Sequence, residues 1–184
     1  GWCDFFLADG YIEETEKSLK KQVELMNYLH CRKLRLFLGR FAVKYYDKDV
    51  RRRLLRNLYK LSTTYPEITF CFETHDEVSL DTGLMLDIFE TVKRDNILVN
   101  FDAANIERMG KDSLEFLVSL YDFIGHIHLK GLRERNVECV RSSFCAFGEG
   151  ILDYSKIIKF LKERRYGQYV SIEYEGSGNA FIEI

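Results

Sequence analysis

The chain has 184 residues, of which 46% are hydrophobic and 30% charged, and this composition predicts one globular domain with a buried core. Its formal net charge of -2 lacks the basic excess of nucleic-acid-binding proteins, and we expect neither secretion nor membrane insertion because no signal peptide or long apolar run is visible. Five cysteines without a CxxC spacing favour a reduced, cytoplasmic protein.

Strand and helix patterns alternate along the chain at a period of about thirty residues, which predicts βαβ units and a parallel sheet. Residues 2–6 resemble the tail of a further strand, and neither GxGxxG nor a P-loop follows any strand, which disfavours nucleotide binding. In chain order we predict a helix from Ile12 to about Cys31, a strand Lys33–Gly39, a helix Asp47–Ser62, a strand Glu67–Glu73, a helix Thr82–Lys93, a strand Asn96–Asp102, a helix Ser113–Asp122, a strand Ile124–Leu129, a long loop to Gly150, a helix capped by Asp153, and a strand Tyr169–Glu173.

Ionisable side chains stand at the carboxyl ends of four successive predicted strands: Glu73, Asp102, His128 and Glu173. Each alone is more often a solvated group or a satisfied core residue, but the ends of parallel barrel strands meet on one face. Three carboxylates brought together repel one another and lose solvation, and a divalent cation relieves both costs. We therefore predict one metal ion, with Mn²⁺, Mg²⁺ or Co²⁺ suited to this oxygen-rich set and Zn²⁺ also compatible.

The segments FETHD, VNFDAANI, GHIHLKG and FGEGILDYSKIIKFLKERRYGQYVSIEYEG together resemble the xylose isomerase-like TIM barrels, specifically the sugar phosphate isomerase/epimerase group. The resemblance covers nearly the whole chain and implies an α/β fold, the (β/α)8 barrel. It implies that Glu73, Asp102, His128 and Glu173 bind one divalent metal. It also implies that Glu73 and Glu173 form the catalytic acid/base pair.

The implied activity is a divalent-metal-dependent isomerase or epimerase that acts on a sugar, polyol or sugar phosphate. The two glutamates would transfer a proton through a metal-bound enediolate, to the opposite face in epimerisation and to the next carbon in isomerisation. We expect a small carbohydrate as the partner, and neither nucleic acid nor membrane. The candidate substrate-binding residues are His75, Asn105, Lys130, Arg133 and Arg135.

Two departures from the family pattern affect these expectations. A complete barrel usually takes about 250 residues, so we expect residues 1–184 to form a single partial barrel domain of five to six βα units, truncated at the N-terminus. Its open strand edges would need a partner, and a homo-oligomer is one solution. Gly131 stands where family members often carry Asp, which leaves part of the substrate pocket open to question.

Two alternatives remain open at this stage. Abasic-site endonucleases share the barrel but need extra metal ligands, including an Asp-x-His segment before the glycines of the loop after the fourth strand. The matching segment here is Ser142-Ser143-Phe144, and Asn105 replaces a ligand histidine, so a phosphodiesterase is disfavoured. The other alternative is a barrel fragment that keeps the metal ligands and lacks catalysis.

Overall fold

The computed structural model describes residues 9–39, 41–135 and 143–176. The predicted strand tail at residues 2–6, Cys3 and Cys139 lie outside the described residues. The chain forms two compact units that divide after Asn100, and each is described by itself below. The expectation of a single partial barrel domain therefore stays a prediction.

The first unit alternates helices and parallel strands. Strand β2 lies between β1 and β3, with Phe72 opposite both Leu36 of β1 and Val99 of β3. Its elements are α1 (Asp9–Tyr28), β1 (Lys33–Leu36), a 3-10 helix (Val43–Tyr45), α2 (Lys48–Thr64), β2 (Thr69–Glu73), a 3-10 helix (Glu77–Leu80), α3 (Thr82–Val92) and β3 (Ile97–Asp102), whose last two residues belong to the second unit. The predicted alternation is confirmed.

The second unit pairs β4 with β7 in parallel, so that His128 lies opposite Ser171. Its elements are α4 (Ala103–Arg108), α5 (Ser113–Leu120), a 3-10 helix (Tyr121–Phe123), β4 (Ile124–Leu129), β5 (Gly131–Leu132), β6 (Phe144–Cys145), α6 (Ser155–Glu163) and β7 (Tyr169–Ile172). The long loop predicted after β4 contains two short strands that were not predicted, β5 and β6, which form an antiparallel ribbon. Strands of two residues are too short to show a periodic pattern.

Aspartates mark the starts of the helices. The side chains of Asp47, Asp81, Asp102 and Asp112 each accept a hydrogen bond from a main-chain N–H in the first turn of α2, α3, α4 and α5. Such caps satisfy donors that have no partner within the helix. Asp153, the predicted cap of the last helix, accepts from the N–H of Ser155, but Tyr154 occupies the cap position of α6, so the prediction was one residue too early.

Most strand residues are buried, as expected of parallel strands that are covered on both faces. In the first unit Phe70 and Phe72 are fully buried, and in the second unit Phe101 and Ile127 are. Strand β7 differs, because Tyr169, Val170 and Ile172 are exposed. None of the described helices combines the length and apolar character that a bilayer-spanning segment needs.

Gly131 opens β5 at a place where no side chain fits. A Cβ atom there would lie 2.1 Å from the carbonyl oxygen of Ala146 and 2.7 Å from Sγ of Cys145. Any larger residue would separate β5 from β6. The departure from the family's aspartate therefore has a structural reason in this chain.

Candidate metal centre

Three of the predicted ligands come together in the second unit. Asp102 ends β3, His128 lies in β4, and Glu173 follows β7 directly, where its N–H donates to the carbonyl of Leu129 at 2.9 Å. Nδ1 of His128 lies 3.3 Å from Oε2 of Glu173 and 3.9 Å from Oδ2 of Asp102. Each residue offers a ligand atom within 4.8 Å of the other two.

This donor set fits a divalent cation. Ligand atoms that surround one ion at bond lengths of about 2.0–2.2 Å lie roughly 3–4 Å from each other, close to the separations seen here. Two carboxylate oxygens and one imidazole suit Mn²⁺, Co²⁺ and Zn²⁺ and, with water ligands, Mg²⁺. The chemistry of the three side chains thus supports the predicted site for a divalent metal.

Lys130 lies at the centre of the acidic groups. Its side chain is fully buried, and Nζ lies 3.1 Å from Oδ2 of Asp102, 3.2 Å from Oε2 of Glu173 and 2.6 Å from Oε2 of Glu175. Sequence reasoning missed Glu175, although a glutamate two residues after Glu173 points to the same side of an extended chain. Three ionised carboxylates and one ammonium leave two excess negative charges, the charge that a divalent cation neutralises.

Two aromatic residues hold Lys130 in place. The ring of Phe144 in β6 lies 4.2 Å from Nζ, a cation–π contact. The buried hydroxyl of Tyr154 donates to the carbonyl of Lys130 at 2.8 Å and accepts from its N–H at 3.2 Å. No local sequence signal connects Tyr154 to Lys130, because 24 residues separate them and the contact exists only after folding.

The charges within the cluster determine its protonation. Burial alone would raise the pKa of Glu173, but the hydrogen bond with His128 and the charge of Lys130 outweigh it and lower the pKa to about 2. Burial alone would lower the pKa of Lys130, but the charges of Asp102, Glu173 and Glu175 outweigh it and raise that pKa. Glu173 is therefore a carboxylate and Lys130 an ammonium at neutral pH.

The fourth predicted ligand, Glu73, lies in the first unit. It ends β2 with only 2% of its side chain exposed, and its Oε2 lies 3.0 Å from Nη1 of Arg35. The guanidinium of Arg35 lies over the ring of Phe37 at 4.7 Å. Arg35 was not predicted as a site residue. The strand register is what connects it to the site. Arg35 lies opposite Cys71, and Cys71 stands two residues before Glu73, so that all three side chains lie on the same face of the sheet.

His75 and Asp76 follow Glu73 and support each other. Nδ1 of His75 lies 3.1 Å from Oδ1 of Asp76, and its ring meets Phe37 edge-on at 4.8 Å. The N–H groups of both residues donate to Oγ of Ser79 at 2.9 Å. Asp76 thus stands at the start of the 3-10 helix that follows β2.

The remaining substrate-binding candidates make contacts within the protein. The N–H of the buried Asn105 donates to Oδ1 of Asp102 at 3.1 Å. Nε of Arg133 donates to a main-chain carbonyl of β6 at 3.2 Å. Arg135 donates through Nε and Nη2 to Oε2 of Glu107 at 3.1 and 2.6 Å, beside a cavity of about 240 Å³. Their contacts with substrate, and that of Lys130, stay predictions.

Residues 7–183 match the family described as xylose isomerase-like TIM barrel. The chain belongs to this family. Its barrel fold is thereby confirmed. Inosose dehydratase from Clostridium perfringens is 23% identical over 204 residues, which cover 95% of this chain and 68% of that protein.

Solved structures of similar fold include both lyases and epimerases. The probable 3-DHS dehydratase AsbF from Bacillus anthracis superposes with a TM-score of 0.82 at 20% identity, over 97% of this chain and 69% of that one. L-ribulose 3-epimerase superposes with a TM-score of 0.77 at 20% identity, over 95% of this chain and 59% of that one. The IOLI protein, solved with a bound zinc atom, superposes with a TM-score of 0.79 at 19% identity, over 96% of this chain and 66% of that one. At these identities the superpositions show the fold alone.

Proposed function

We propose that the chain is a divalent-metal-dependent enzyme that removes a proton next to the carbonyl of a sugar, cyclitol or sugar phosphate. The observation that carries this proposal is the cluster of buried Asp102 and His128 with half-buried Glu173, whose donors fit one divalent ion. We propose Glu73 as the fourth ligand, because it ends β2 as Asp102 ends β3. The zinc atom bound to the IOLI protein, and the names of similar proteins as a dehydratase and an epimerase, support the same activity.

The roles of the residues follow from their surroundings. A bound divalent ion would polarise the substrate carbonyl and ease removal of the neighbouring proton. Glu173, with a pKa of about 2, is ionised at neutral pH, which suits metal binding better than removal of the first proton. We therefore assign the first proton removal to Glu73. We assign Glu173 to the metal and, in epimerisation or isomerisation, to the return of a proton that it must first take up from solvent or from a substrate hydroxyl.

Two outcomes can follow from the same proton removal. Loss of a neighbouring hydroxyl is dehydration, and return of the proton to another face or carbon is epimerisation or isomerisation. We place dehydration of an inosose-type cyclitol first, because the curated relative aligned along 95% of the chain is an inosose dehydratase. Epimerisation or isomerisation is the second candidate, supported by the shared fold of L-ribulose 3-epimerase and by the paired glutamates.

Hydrogen exchange in deuterated buffer tests the proposal. The purified chain, loaded with Mn²⁺ and then exchanged into Mg²⁺ for NMR, is incubated with an inosose and with a panel of ketoses. We expect loss of the proton signal next to the carbonyl, with a dehydrated product from the inosose or an epimer from a ketose. Glu73→Gln and Asp102→Asn each alter a proposed ligand and should reduce metal affinity, and Glu73→Gln should abolish exchange even at saturating metal. No exchange with any substrate by the metal-loaded wild type would refute the proposal and favour a non-catalytic barrel fragment.

A multi-metal phosphodiesterase has less support. Within residues 15–39, 41–135 and 143–176, whose side chains are described, no second group of three or more His, Cys, Asp and Glu lies close enough to hold another ion. Cleavage of abasic-site DNA by the Mn²⁺-loaded chain would reverse this preference. A small carbohydrate as the substrate, a cytoplasmic location and a homo-oligomeric state remain parts of the proposal.

A further inference from the structure

We propose that Lys130 is an internal counter-cation that holds the acidic ligands together before metal binds and then competes with the metal for the same oxygens. This inference rests on the proposed metal site and assigns Lys130 a positioning role in addition to any contact with substrate. It makes the metal affinity of the chain a balance between Lys130 and Glu175.

The position of the ammonium is determined by the carboxylates. A fully buried, charged lysine is strongly destabilising unless it is paired and hydrogen-bonded. An ammonium has three N–H donors, and Nζ of Lys130 has three carboxylate neighbours between 2.6 and 3.2 Å. Removing the ammonium would leave the carboxylates of Asp102, Glu173 and Glu175 to repel one another.

The ammonium and the candidate ion share two oxygens. Oδ2 of Asp102 and Oε2 of Glu173 lie 3.9 and 3.3 Å from Nδ1 of His128. The same two atoms lie 3.1 and 3.2 Å from Nζ of Lys130. A divalent ion held by His128 and these oxygens would therefore stand close to a positive charge, and each cation would weaken binding of the other.

Glu175 provides the alternative partner that relieves this conflict. It makes the shortest of the three contacts with Lys130, 2.6 Å, and its side chain is 39% exposed, in contrast to the fully buried Asp102. The contacts of Tyr154 with both backbone polar groups of Lys130 fix the main chain. The ammonium can therefore keep its contact with Glu175 and move away from the shared oxygens when an ion takes them.

Metal titration without substrate tests this inference, because a purely substrate-binding lysine would not alter it. Mn²⁺ is titrated calorimetrically into chelator-treated wild type, Lys130→Met and Glu175→Gln, and each metal-free protein is also melted. We expect Lys130→Met to bind Mn²⁺ about tenfold more tightly, a change of about 1.4 kcal/mol, and to melt at a lower temperature than wild type without metal. Glu175→Gln should bind Mn²⁺ more weakly, because the ammonium loses its alternative partner.

Lys159→Met is the matched control, since Lys159 lies in the same unit with 77% of its side chain exposed. It should leave both the Mn²⁺ affinity and the melting temperature unchanged. Unchanged or weaker Mn²⁺ binding by Lys130→Met would overturn the inference. If Lys130→Met does not fold, the sign of the change in Glu175→Gln decides, and unchanged or tighter binding there refutes the competition.

The outcomes separate this inference from the proposed function. A wild type that binds no divalent metal refutes both. A wild type that binds Mn²⁺, with variants of equal affinity, refutes only the role of Lys130. Opposite changes in the two variants, together with no hydrogen exchange on any substrate, support the role of Lys130 and refute the enzymatic proposal.

Discussion

Acid should destabilise the metal-free protein through Glu173. The pKa of this carboxyl is about 2 in the folded chain, against an ordinary value of 4.5, and its side chain is only 23% exposed. A folded-state pKa below the unfolded one gives stability that is fully present above pH 4.5 and is lost as the pH falls toward 2. The difference corresponds to about 3 kcal/mol, a large share of the roughly 5–15 kcal/mol typical of a domain.

Urea unfolding followed by circular dichroism, at a series of pH values from 6 to about 2, measures this contribution. The amide of Glu173→Gln cannot take up a proton in this range, so the free energy of unfolding of this variant should fall less steeply between pH 4.5 and 2 than that of wild type. Glu163→Gln, which removes an exposed carboxylate from α6, should keep the wild-type slope. Parallel curves for wild type and Glu173→Gln would refute the argument that His128 and Lys130 stabilise the ionised form.

Three further predictions concern the fold. Phe101→Ala should lower the free energy of unfolding by about 3–5 kcal/mol in urea titrations, because it empties a fully buried site. Gly131→Ala should lower the melting temperature, at a cost of about 1–3 kcal/mol, since the added methyl meets the carbonyl oxygen of Ala146; an unchanged melting temperature would contradict the close approach. Asp87→Asn should cost about 1 kcal/mol, and less in high salt, because Arg51 binds this half-exposed carboxylate through Nε and Nη2 at 2.6 and 2.8 Å; a cost independent of salt would argue against the ion pair.

Strand ends could be predicted from the sequence because they combine two regular signals. Alternating apolar residues indicate a strand, and the first ionisable residue after them marks its end, as at Glu73, Asp102 and Glu173. Of the two histidines of β4, His128 is nearer the end of the strand and lies beside the acidic groups. His126 instead lies 2.9 Å from the hydroxyl of Ser171.

The surroundings of Lys130 could not be predicted in the same way. Tyr154 reaches it from the position just before α6 and Phe144 from β6, and such contacts depend on the folded positions of elements that are distant in sequence. The ribbon of β5 and β6 depends on Gly131, whose importance comes from the atoms that face it and not from any repeated pattern. Sequence periodicity locates an element, whereas the partner of a side chain requires the tertiary structure.

Asp102 uses its two carboxylate oxygens for different purposes. Oδ1 accepts the N–H of Asn105 and starts α4, while Oδ2 lies beside Lys130. Because both oxygens belong to one rigid carboxylate group, a cation that binds Oδ2 also alters the hydrogen bond to Oδ1. The amide resonance of Asn105 is thus a natural spectroscopic reporter, able to register occupancy of the cluster through the backbone without a label in the site.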